Sequence, residues 1–150
     1  MSDTPIIGPK RRTIYVGEGI ARALGARIEQ EDGSFSGAVN GIAGRYADIV
    51  ERSMPEYTER EWCAICDANN GSWFLDSFSP PLIWANVADT PEIGEKWEID
   101  ADSLVSRLRA LTYCQSAAVV DVIERFWASP RLNTLSNRDL LTEAGAKIAP

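Results

Sequence analysis

Cys63-Ala64-Ile65-Cys66 places two thiols at the spacing of a metal or redox pair, and Cys114 is the only other cysteine in the chain. A zinc set would need a second pair or histidines, and the sequence has no histidine at all. That absence also removes the commonest general base and every histidine-dependent triad. The CxxC pair falls inside an apolar helical repeat with no βαβ context, so it reads as structural core cysteine. Gly17-Glu18-Gly19 lacks the third glycine and the Lys-Ser/Thr of a phosphate loop. Glu92, Glu95, Glu98, Asp100 and Asp102 lack the order of a calcium loop and read as a solvated acidic face. The five tryptophans are expected mostly in a core. No catalytic group, metal site or cofactor is expected, and the chain does not read as an enzyme.

The remaining chemistry is recognition, and it concentrates between Lys10 and Tyr46. Lys10, Arg11 and Arg12 lead into Thr13-Ile14-Tyr15-Val16, which alternates as a half-buried strand does. Ile14 and Val16 share one face, and Arg11, Thr13 and Tyr15 share the other, a basic hydrogen-bonding set suited to a polar polymer. So short a strand needs a partner for its backbone groups, and no neighbouring segment supplies one. A second copy of the chain would. Ile20, Leu24 and Ile28 then recur at helical spacing, closed by the polar turn Glu29 to Gly33. Ser34-Phe35-Ser36-Gly37 starts a second helix, whose apolar face is Val39, Ile42, Ala43, Tyr46, Ile49 and Val50. Gly37, Gly41 and Gly44 form a stripe opposite that face, suggesting close approach of another helix.

Strand, helix, polar turn and a helix opening Ser-x-Ser with a tyrosine ten residues after the second serine together resemble the ribbon-helix-helix family of DNA-binding proteins. The resemblance covers about a third of the chain. It implies an intertwined homodimer whose paired strands enter the major groove of double-stranded DNA. By position, Arg11, Thr13 and Tyr15 would meet base edges. Lys10, Arg12, Ser34, Ser36 and Gly37 would hold phosphates, the last three at a helix start where backbone N–H groups point outward.

The charge distribution bears on this reading. The net charge is −7, yet residues 1–50 carry six basic and six acidic side chains. Residues 51–150 hold nine basic and sixteen acidic, so all of the excess acidity lies there. Screening confines phosphate binding to the local field, which is basic near the ribbon. No apolar run approaches a membrane span, and no leader core is evident at the start, so a cytoplasmic location without membrane contact is expected.

The expected fold class is mainly α, a ribbon-helix-helix unit followed by a small all-α domain. The expected parts are a flexible arm over 1–9, the DNA-binding domain over 10–52, an acidic helical domain over 56–128, and a C-terminal tail with one weak helix over 129–150. Thr58-Glu59-Arg60-Glu61 is a capping box leading to Trp62, Ile65, Cys66 and Asn69 on one face. Ser79-Pro80-Pro81 reads as an N-cap with proline in the first turn, followed by Leu82 to Ala88 as a compact helix, Asp89 to Asp100 is an acidic loop with Trp97 tucked inward, and Asp102 caps the next helix. Gln115 to Ala128 has so wide an apolar arc that it is expected to be the central helix.

Two functions compete. The first is a dimeric, sequence-specific DNA-binding protein, a transcriptional repressor or a plasmid or phage maintenance factor. The second is an acidic protein-binding module, antitoxin-like or a phage-type inhibitor, which contacts a second protein through the C-terminal domain.

Overall fold

The structure is a computed structural model that describes residues 18–30, 35–70 and 81–150. It is mainly helical, with eight helices and one two-stranded ladder among the described residues. The expected arm, the strand Thr13 to Val16 and the Ser79-Pro80 cap lie outside them. By contacts the chain divides into two units, Met1–Gly44 and Arg45–Pro150.

The first unit carries α1 (Glu18–Gln30) and the opening of α2 (Phe35–Ser53), both where the apolar spacing places helices. Leu24 and Ala38 are buried. Glu18 and Arg22 pair at 3.5 Å one turn apart, but both are so exposed that the pair contributes little.

The second unit is built around α3 (Glu59–Ala68), not around the longer apolar helix expected at its centre. Thr58 and Glu61 form the expected capping box, and the helix closes at Asn69. Five consecutive residues, Trp62 to Cys66, are buried, which requires cover on every side of the helix. That cover comes from α4 (Pro81–Ala88), α5 (Ile93–Trp97), α7 (Tyr113–Ala128) and α8 (Asn137–Glu143). The charged residues of α3 reach outward like spokes. Glu59 pairs with Arg138 at 3.2 Å, Asp67 with Lys96 at 2.7 Å, Arg60 with Glu98, and Glu61 with Arg107. Exposed pairs of this kind each contribute under about 1 kcal/mol, and together they link three other segments, around positions 96–98, 107 and 138, to one helix.

Several expectations change. The acidic stretch 89–100 is not all loop, because Ile93 is buried and anchors the short helix α5. A Cβ at Gly94 would stand 3.2 Å from both Ala101 Cβ and Ile99 O, so the close approach of the next helix leaves little room for a side chain there. That next helix, α6 (Ala101–Arg109), is capped by Asp100 rather than Asp102. It begins one residue after Asp100, whose carboxylate accepts from the Ser103 N–H at 3.0 Å. On α7 a second capping box, Thr112 with Gln115, starts the helix earlier than expected.

The segment 129–150, expected as a tail, packs into the core. Leu140, Leu141 and Ala144 are buried with α3 and α7. Gly145, at φ 85°, turns the chain into β2 (Lys147–Ile148). This strand runs parallel to β1 (Glu56–Tyr57), so the second unit is not purely helical. Ala149 N–H donates to Tyr57 O at 2.8 Å, and Trp62 Nε1 donates to Lys147 O at 2.9 Å.

Candidate functional site

Of the residues expected to grip DNA, Ser36 and Gly37 are described. Both are exposed in the first turn of α2. Lys10, Arg11, Arg12, Thr13, Tyr15 and Ser34 lie outside the described residues. The glycine stripe does not carry the close approach inferred for it at Gly44, where an added Cβ would meet nothing within 4 Å.

The apolar face of α2 is where the expectation and the structure bear on each other most directly. Helical spacing puts Val39, Ile42, Tyr46 and Ile49 on one stripe. Within this chain the stripe is largely uncovered: Val39 is 37%, Tyr46 50% and Ile49 41% exposed, and Ile20 on α1 is 57% exposed. Single exposed apolar residues are ordinary, but a repeated row on an amphipathic helix marks a surface made for contact. Burial, together with Asp121 and Glu124 of α7, raises the pKa of the Tyr46 hydroxyl, so the surroundings of Tyr46 are acidic.

In the second unit, residues remote in sequence converge on a cleft of about 300 Å³. Asp67 of α3 lies at one side, Trp97 of α5 and the Phe126–Trp127 pair of α7 form walls, and Leu132 and Leu140 add apolar surface. The two indole N–H groups are both spent on α3. Trp97 Nε1 donates to Asp67 Oδ2 at 3.0 Å, and Trp127 Nε1 donates to the Cys66 carbonyl at 2.9 Å. Burial disfavours the Asp67 charge, but hydrogen bonds from Lys96 and Trp97 outweigh it and hold the carboxyl below its ordinary value. Sequence reasoning treated these tryptophans as generic core. Trp62 is fully buried, while Trp84, Trp97 and Trp127 are only partly so. No spacing rule could have joined positions 67, 97 and 127, because three separate helices supply them.

Cys63 also lines this cleft, and Cys66 lies beneath it, fully buried. Burial, reinforced by Glu59 and Asp67, pushes the Cys63 thiol up to about 11, and burial raises Cys66 further. Neither is poised as a thiolate at neutral pH, in line with structural cysteines. Among the described residues no cluster of potential ligands could hold a metal ion, and no helix is long and apolar enough to cross a membrane.

Comparison with known proteins gives no match: no family model, curated protein or solved structure is similar to this chain.

Proposed function

We propose that this chain is a cytoplasmic, dimeric, sequence-specific DNA-binding protein of the ribbon-helix-helix kind, acting as a transcriptional repressor or a plasmid or phage maintenance factor. The observation that carries the reading is the uncovered apolar row on α2, together with exposed Ile20 on α1. An intertwined dimer is the arrangement in which such helices cover one another. The exposed first turn of α2 at Ser36 and Gly37 fits a phosphate contact, and Lys10 to Arg12 supply basic charge beside the strand whose Arg11, Thr13 and Tyr15 would read bases.

A mobility-shift assay of the full chain against fragmented genomic duplex tests this. A retained subset of fragments is expected, with affinity falling by about 0.9 log units per log unit of salt for each phosphate neutralised. Arg11→Ala should relax base preference, whereas Ser36→Ala should weaken all fragments alike. A folded dimer that retains no duplex at any salt would overturn the proposal. The competing reading, a protein-binding module, is favoured by the −7 charge of residues 51–150 and by exposed Tyr46 in its acidic surroundings. It would gain if that folded, DNA-inert chain formed a tight complex with a second protein.

A further inference from the structure

We propose that the cleft between α3, α5 and α7 is a binding site for a small organic monocation, an alkyl- or arylammonium group, whose charge takes the place now held by the Lys96 ammonium. The proposal does not depend on DNA binding. It rests on what the cleft offers and on which groups are already spoken for.

The walls are aromatic and fixed. Phe126 and Trp127, both lining the cleft, form an edge-to-face pair, 82° apart with ring centroids at 5.1 Å. Because both Trp97 and Trp127 commit their N–H groups to α3, these indoles offer the cleft π surface and no donor. Faces of this kind attract cations through their negative quadrupole, and tryptophan does so best. A volume of about 300 Å³ is at the small end for ligand sites, which suits a compact ammonium compound.

A cation already stands beside two of the lining residues, Asp67 and Trp97. Lys96 Nζ is 2.7 Å from Asp67 Oδ2 and 5.6 Å from the centroid of the Trp97 ring, the paired carboxylate and indole face that an ammonium ligand would use. The Lys96 side chain is 55% exposed, so swinging it into solvent costs little, whereas a ligand entering the cleft would also meet Phe126 and Trp127. Asp67 Oδ1 accepts no hydrogen bond among the described residues, which leaves capacity for a second donor. The carboxamides of Asn133 and Asn137, which also line the cleft, likewise make none and are available to a polar end of the ligand. An anionic ligand would meet Asp67 directly, so the charge sign is set by the carboxylate that cannot leave.

The full chain titrated with benzyltrimethylammonium chloride, followed by indole N–H resonances, tests the proposal, with benzyl alcohol as the neutral comparator. Saturable shifts are expected at Trp97 and Trp127 and not at buried Trp62. Lys96→Ala should tighten binding about three- to tenfold by removing the resident competitor, and Asp67→Asn should weaken it about tenfold. Asp67 also anchors Trp97, so both variants are checked by circular dichroism and melting temperature, and the lysine variant, whose side chain is 55% exposed, carries the decisive comparison. Absence of saturation, equal binding of benzyl alcohol, or a Lys96→Ala variant that binds no tighter than the parent would overturn the proposal.

Discussion

Ile49→Glu is the substitution that bears most directly on dimerisation. Ile49 lies on the open row of α2 with 41% of its surface exposed in the single chain. Burying a whole isoleucine contributes roughly 1.5–3 kcal/mol, so covering the exposed two-fifths contributes about 1 kcal/mol. A glutamate there would add the desolvation of an unpaired carboxylate, roughly 1–3 kcal/mol. In a two-fold symmetric pair each change counts twice, giving about 4–8 kcal/mol in all. Even the lower figure weakens the dimer about a thousandfold, enough to dissociate it at micromolar concentration. The single chain should tolerate the change, because the site is exposed and Arg45 and Arg52 lie one turn away on the same helix. Sedimentation velocity on parent and variant, with circular dichroism to verify helix content, reads the result. A parent that sediments as a monomer, or a variant that sediments as the dimeric parent does, would refute the reasoning.

Other consequences are separable. For Glu61, hydrogen bonds from Arg107 and Thr58 outweigh burial and hold the carboxyl below its ordinary value of 4.5; its contribution to stability is therefore present above that pH and lost as pH falls below it. Melting temperature should drop over this range in the parent and drop less in Glu61→Gln. Asp121 should behave with the opposite sign, since burial raises its pKa above 3.8 despite Arg125, so ionisation opposes folding and Asp121→Asn should hold or raise the neutral-pH melting temperature. Trp62→Phe removes a buried donor to Lys147 O and part of a fully buried ring, and should cost about 2–4 kcal/mol by denaturant unfolding. With a thiol reagent at neutral pH, exposed Cys114 should react rapidly while Cys63 and Cys66 react only on unfolding.

The sequence by itself determined several of the helix starts and the faces those helices carry. Thr58 with Glu61, proline in the first turn of α4 and the apolar rows of α2 and α7 were all legible, because caps and amphipathic stripes depend on residues within four positions of one another. Two-residue shifts, such as Asp100 capping in place of Asp102, came from competing caps so closely spaced that only the packed helix axis chose between them. Only the tertiary structure decided that short α3, not longer α7, is the hub, since its cover comes from four helices spread over the rest of the chain. The same holds for the β1–β2 ladder, whose two-residue strands are too short to leave a pattern and lie near opposite ends of the second unit. It holds most of all for the cleft. Asp67, Trp97 and Trp127 each look like ordinary helix residues in sequence, and they become a site because hydrophobic burial of α3 draws α5 and α7 against it, a many-body outcome that no local spacing encodes.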